Sequence, residues 1–244
     1  MADIRSFYLA PEAWEPPYIL DARESRHLTQ VLRLRAGAEV RLFDGCGRCG
    51  LFRVEEARRN AVKLTLLSEG REEVPATRCT LAAAFSKALR RTWFMEKSVE
   101  LGAAALWFWQ GDYSRAILPE AQKQNWQAAL LAGAKQCGCA TIPALTLMRG
   151  GAEAVASRRG DFGRAFLLYE GDTGGRLLDL TDLAPPGDVL LVLGPEGGFS
   201  PREAKLFAAA GITPVSLGAR VLRWETAAVL TLGLAFLAGQ KRTC

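Results

Sequence analysis

Residues 193–203 read LGPEGGFSPRE. The apolar run Val189–Leu193 that leads into them has the makings of a buried strand. Ser200 is a good helix N-cap, Pro201 suits the first helical position, and Glu203 completes a capping box. Gly194–Phe199 is therefore expected to be a strand-to-helix loop, with Gly197 and Gly198 free for positive φ or close backbone approach. Two phosphate cradles are excluded. No GK[ST] ending follows, so this is not a P-loop, and the spacing is not that of the GxGxxG dinucleotide fingerprint. Glu196 would also repel phosphate. A plainer reading is a turn whose glycines serve geometry alone.

Outward from this loop the chain alternates. Strand-like runs TLAAAFS, ALWFWQ, RAFLLYE, DVLLVLG and TPVSLG are separated by helical patterns. Those patterns are ALRRTWFMEKSVELGA, EAQKQNWQAALLAGAKQ, PREAKLFAAAG and TAAVLTLGLAFLAG. Buried strands alternating with helices predict an α/β fold with a mostly parallel sheet. Such sheets bind ligands outside the carboxyl ends of their strands, where GPEGG falls. Trp107–Trp109 read as buried strand, and Trp93 and Trp126 as helix core faces. Before residue 70 the runs EVRLFD, GLFRVEEA and AVKLTLLS, with turn signals such as DGCGRCG, predict a small all-β unit. It carries one short helix at SRHLTQVLR, and Ser68–Arg78 reads as a linker.

The 244 residues are 49% hydrophobic with mean hydropathy +0.04, enough for a sizeable core. No apolar run is long enough to span a bilayer and the N-terminus lacks a signal-peptide pattern, so a cytoplasmic protein without membrane contact is expected. A net charge of +5 permits a nucleic-acid partner. No basic run exceeds RR or KR, so an RNA surface has to be assembled by folding. The six cysteines are read as free thiols. CGRC and CGC suggest zinc, but no second CxxC or neighbouring histidine completes a set for either, and no metal is expected.

A second stretch, LGARVLRWETA (217–227), repeats the arrangement of strand end, glycine, short connection and helix. Two such loops at adjacent strand ends predict a composite pocket. A ligand with hydroxyls, an amino group and a cationic centre suits Glu196, and S-adenosylmethionine has all three and no phosphate. The paired stretches resemble the bacterial small-subunit ribosomal RNA methyltransferase E family, of the SPOUT superfamily. RHLTQVLRLRAGAEVRLFDG (26–45) is similar to that family's PUA-like RNA-binding barrel, and FMEKSVELGA (94–103) to its domain-junction motif at Lys97, Glu100 and Gly102.

The resemblance implies an S-adenosylmethionine-dependent enzyme that methylates N3 of a uridine in 16S ribosomal RNA within the 30S particle. It also implies a C-terminal trefoil knot, a homodimer, a PUA-like domain over 1–72 and a SPOUT domain over 73–244. The cofactor would be held by Leu168, Leu193, Gly194, Pro195, Glu196, Gly197 and Gly198 from the strand ends. Leu217, Gly218, Val221, Leu222 and Thr226 would hold it from the second stretch. Arg223 is the candidate to stabilise the uracil anion, and Glu225 to act as base or to orient Arg223. Arg26, His27, Arg33 and Arg35 are candidate RNA contacts, with His27 open to a packing role instead; Lys87, Arg90 and Arg115 extend the set. The sequence departs from the family pattern at Lys135, Cys139, Thr141, Ala219 and Trp224. These departures keep open a non-catalytic RNA-binding or assembly protein of the same fold. Trp224 reads as core or interface packing, or as a base stack.

Overall fold

The structure is a computed structural model that describes residues 4–86, 91–171 and 173–240. The chain divides into two compact units, Met1–Val74 with Leu130–Ile142, and Pro75–Ala129 with Pro143–Cys244. The first unit contains β1 (Ser6–Tyr8), β2 (Tyr18–Ile19), α1 (Ala22–Arg26), β3 (Glu39–Phe43), β4 (Arg48–Arg58) and β5 (Ala61–Arg71). They form a sheet of order β1-β3-β4-β5-β2, antiparallel except for the β1–β3 pair. Alternation sends Val40, Leu42, Phe52, Val54, Val62 and Leu64 to one side, where they close on Phe7, Trp14 and Leu28. The predicted short helix is α1, continued by one wide π turn over His27–Val31.

The linker reading is corrected here. Ser68–Arg71 belong to β5 and pair with Arg48–Leu51 of β4. Their polarity reflects a solvated hairpin end, tied by an Arg48–Glu69 ion pair at 2.5 Å.

The second unit starts with β6 (Thr77–Ala84), α2 (Arg91–Glu100) and β7 (Ala105–Trp109). It goes on through the N-terminal part of α3 (Gln124–Cys137), β8 (Ala144–Met148), α4 (Gly151–Ser157) and β9 (Arg164–Leu168). α5 (Leu180–Leu183), β10 (Gly187–Leu193), α6 (Pro201–Ala209), β11 (Thr213–Val215) and α7 (Trp224–Gly239) complete it. All six strands are parallel, in the order β11-β9-β10-β6-β7-β8. Ala82, Ala84, Trp107, Trp109, Leu190 and Val192 face α4 and α6, meeting Ala152, Val155 and Phe207. Leu81, Ala83, Val189 and Leu191 are also fully or almost fully buried. They alternate to the opposite face, where α7 packs on β6 and β10 and is in turn covered by α2 and α5. Burial on both faces explains why DVLLV is apolar without alternation. Each such Val or Leu contributes about 1.5–3 kcal/mol by leaving water.

Trp107–Trp109 are buried strand residues and Trp126 is buried, as the sequence suggests, but Trp93 is 41% exposed and is not a core residue. The C-terminal part of α3 groups with the first unit. There Lys135 pairs with the buried Glu24 at 2.5 Å, and the other Glu24 oxygen accepts from the Tyr8 amide at 3.3 Å. This accounts for the lysine at position 135, since a carboxylate so little exposed to water needs a cation beside it. Among the described residues no helix is long and apolar enough to cross a membrane.

Candidate functional site

The strand order has a switch point. β6, β7 and β8 run outward on one side, and the chain then returns to place β9 and β10 on the other. Ligand crevices of open α/β sheets form beyond the carboxyl ends of strands at such a point. Here the loop after β10 carries Gly194–Phe199, and the end of β6 carries Phe85 and Ser86.

The loop is anchored at both ends. The Ser200 hydroxyl accepts from the Glu203 amide and the Glu203 carboxylate accepts from the Ser200 amide at 2.8 Å, so the predicted capping box is formed. The Glu203 side chain is fully buried, and its second oxygen accepts from the Asp112 amide at 2.8 Å. Asp112 in turn accepts from the Ser200 hydroxyl at 2.5 Å and from Arg202 at 2.9 Å. Arg202 foremost, then Ser200, holds the Asp112 carboxyl below its ordinary pKa. Pro195 packs on Gly111, and Tyr113 lies against Gly197. A side chain at Gly194 would put its Cβ 2.9 Å from the Phe199 ring, and Gly198 has φ +74°. Both glycines are required where they stand.

Glu196 is exposed, and its partner is a side chain rather than the loop's own amides: Oε1 accepts from the Ser86 hydroxyl at 2.5 Å. Arg91 donates to the Ser86 carbonyl and lies over the Phe85 ring, 4.0 Å from its centroid. Burial pulls the Arg91 pKa below its ordinary value, and the nearby Glu196 carboxylate opposes that shift. Glu196 thus ties the loop to the end of β6.

A cleft of about 290 Å³ opens between the ends of β9 and β10. Leu168, Leu193, Gly194, Pro195 and Gly198 line it, as do Tyr169, Glu170, Gly171 and Phe199, which sequence reasoning missed. Their signal was present in LLYEG, an apolar run ending in an acid and a glycine, like LGPEGG itself. The expected adjacency of the two loops is also corrected. β9 lies between β10 and β11, so its own continuation Tyr169–Gly171 separates the loops. Among the described residues no lysine or arginine lines the cleft, and Glu170 is the charged residue that does. That lining disfavours phosphate and suits hydroxyls or a cationic centre.

Glu196, Gly197, Leu217, Gly218, Val221, Leu222 and Thr226 do not line this cleft. The second stretch follows β11. Ser216 and Gly218 form a tight turn there through the serine hydroxyl, and Val221 is 81% exposed. Arg223 is the exposed N-cap of α7 and Glu225 lies in its first turn. The two form no ion pair with each other, so a local salt bridge does not account for them. Trp224 is 5% exposed and meets Phe94 edge-on at 5.0 Å. It is a packing residue, although its indole N–H finds no acceptor among the described residues.

In the first unit, Arg26, Arg33 and Arg35 are exposed on the segment formed by α1, the π turn and the loop after it. His27 is half-buried, with its ring 6.0 Å from that of Phe7, which favours the packing role. Arg115 is exposed in the second unit, and Lys87 and Arg90 lie outside the described residues.

A parallel sheet with a glycine-built, non-basic cleft beside a switch point defines the class, and a family model for an RNA methyltransferase domain matches residues 72–235. A model for an RNA methyltransferase PUA domain matches 20–67. The Mycobacterium bovis protein named ribosomal RNA small subunit methyltransferase E is 32% identical over 228 residues, covering 88% of this chain and 84% of its own. The chain belongs to this methyltransferase E family. A Legionella pneumophila methyltransferase solved with bound SAM superposes with TM-score 0.83 at 28% identity, covering 97% of this chain and 98% of that one. The Neisseria gonorrhoeae ribosomal RNA small subunit methyltransferase E, bound to S-adenosyl methionine, gives 0.77 at 26% identity, covering 94% and 96%.

Proposed function

We propose that the protein transfers a methyl group from S-adenosylmethionine to N3 of a uridine in 16S ribosomal RNA of the small subunit, in the cytoplasm. The observation that carries this reading is the cleft at the ends of β9 and β10, built in part by the family motif at 193–203 and lined among the described residues by no lysine or arginine. When bound, the cofactor supplies an electrophilic methyl group. Leu168, Leu193, Gly194, Pro195 and Gly198 hold it on one side. Leu217, Gly218, Val221, Leu222 and Thr226 close over it from the other, which accounts for the exposure of Val221. Glu196 and Gly197 hold the loop in shape.

Uracil N3 is a poor nucleophile until its proton leaves. Arg223, exposed at the start of α7, stabilises the anion whose charge spreads to O2 and O4. Glu225, two residues further along in the first turn of α7, takes the proton or orients Arg223. Fixing base and cofactor together lowers the barrier by several kcal/mol more.

The N-terminal domain, 1–72, is the PUA-like RNA-binding barrel, and 73–244 is the SPOUT domain with its C-terminal trefoil knot. Arg26, Arg33, Arg35, Lys87, Arg90 and Arg115 neutralise phosphates and position the RNA without reading its sequence. The working form is a homodimer. Its support is a set of exposed apolar side chains on α2 and α7, namely Trp93, Leu230, Phe236 and Leu237. Calorimetric titration with S-adenosylmethionine tests the reading. It predicts saturable binding, and a chain that binds no cofactor is a non-catalytic member of the fold.

A further inference from the structure

CGRC (46–49) and CGC (137–139) are distant in sequence, and the fold brings them to one place within the first unit. CGRC forms the β3–β4 turn, organised by Asp44, whose Oδ1 accepts from the Cys46 amide at 2.6 Å and the Arg48 amide at 3.0 Å. The segment after α3 is stitched along this turn. Ile142 N donates to Gly45 O at 3.0 Å and Gly47 N to Ala140 O at 3.1 Å, so that Cys46 stands opposite Thr141. Glu72 closes the arrangement. Its amide donates to Gly47 O at 2.8 Å, and its carboxylate accepts from Ala140 N at 2.9 Å.

The face of Cys49 is set by the strand register. Cys49 is in register with Phe43 and therefore shares its face, the one opposite Leu42 and the core. That face is where Ile142 packs, since a Cβ at Gly45 would meet Ile142 at 3.2 Å and Tyr8 at 3.6 Å. On the facing segment, Gly138 has φ +75°, the Cys137 thiol donates to the Ala134 carbonyl at 3.9 Å, and the Cys139 thiol donates to the Thr141 carbonyl at 3.1 Å.

We propose that Cys46, Cys49, Cys137 and Cys139 form a tetrathiolate zinc site that ties the β3–β4 turn to the segment following α3. Each motif supplies half of a four-ligand set, which is why neither completes one in the sequence. Four thiolates match the closed tetrahedral sites of structural zinc, with Zn–S near 2.3 Å, and leave no open position for catalysis. Among the described residues no three ligating side chains are yet gathered around one point. Closing the set therefore requires rotation of the Cys46 and Cys49 side chains, neither of which is buried. Binding releases the thiol protons to solvent and changes no oxidation state. The site stands apart from methyl transfer, and its test does not depend on that activity.

The test uses the full chain, purified without a histidine tag under reducing conditions. Elemental analysis is expected to give one zinc per chain, released when a mercurial caps the thiols. Replacement by Co²⁺ is expected to give the intense sulfur-to-metal charge-transfer band of a tetrahedral thiolate site. Cys46→Ser and Cys137→Ser should each lose stoichiometric zinc, while Cys79→Ala, in β6 of the other unit, should keep it. The wild-type cobalt spectrum decides the matter even where a variant fails to fold. A reduced chain that takes up neither Zn²⁺ nor Co²⁺ overturns the proposal. So does peptide mapping that finds the two motifs joined by a disulfide, or an iron–sulfur chromophore in place of zinc.

Discussion

The two loops of the candidate site are alike in sequence and unlike in structure. Gly194–Phe199 is fixed by a capping box, a buried Glu203, the Asp112–Arg202 pair and the Ser86–Glu196 bond. The stretch after β11 has the Ser216–Gly218 turn and then runs exposed through Ala219, Arg220 and Val221 before α7 begins. A loop held by side chains from β6, from the 110–114 segment and from α6 is preorganised and forms a wall. On the proposed function, this less supported loop takes its final shape from the cofactor it closes over. Binding energy spent on ordering the second loop is recovered only with the correct ligand in place.

Substitutions can break this contrast. The largest effect is expected at Arg223. Arg223→Ala should lower turnover by on the order of 10²–10³-fold, as loss of one charge-stabilising donor does, with calorimetric cofactor affinity nearly unchanged. Turnover near wild type would remove Arg223 from the chemistry. Next come the glycines. Gly194→Val drives a side chain into the Phe199 ring and should weaken cofactor binding by roughly a hundredfold. Gly218→Ala meets open space, so its cost is the backbone strain of φ +122° alone, roughly 1–3 kcal/mol, with no ring displaced and a smaller loss of affinity than at Gly194. Equal losses at the two glycines would erase the distinction between the loops.

Stability should follow the same division. Glu203→Ala orphans the Ser200 and Asp112 amides and should cost about 2–4 kcal/mol in urea unfolding, whereas changes at exposed Arg220 should fall within about 0.5 kcal/mol. The smallest effect concerns acid. Asp112 has a depressed pKa in the folded protein, so its contribution is present above the unfolded carboxylate value. It is lost as pH falls through the lower folded value, below about pH 4. Asp112→Asn should flatten that acid limb slightly, since the pair is largely exposed and water screens it.

Local physics explains what could be read in advance. DVLLV is apolar throughout because both faces of β10 are covered, and Ser200–Glu203 marks a helix start in any context. The family resemblance found the two glycine stretches for the same reason: their requirements are short-range. Tyr169–Gly171 was missed because nothing local says that β9 inserts between β10 and β11. The identity of Lys135 makes sense only beside Glu24, and the two cysteine motifs complete one set only after Thr141 is laid against Cys46. Each of these depends on pairing across long sequence separations, to which hydrophobic period and turn chemistry are blind.

The most direct measurement of the central claim is methyl transfer itself. Small ribosomal subunits lacking the modification would be incubated with the protein and S-adenosylmethionine, and the digested 16S RNA analysed by mass spectrometry. The account predicts one new 3-methyluridine, formed far more slowly when Arg223→Ala replaces the wild type. Unmodified uridine throughout, with a control methyltransferase active on the same particles, would contradict it.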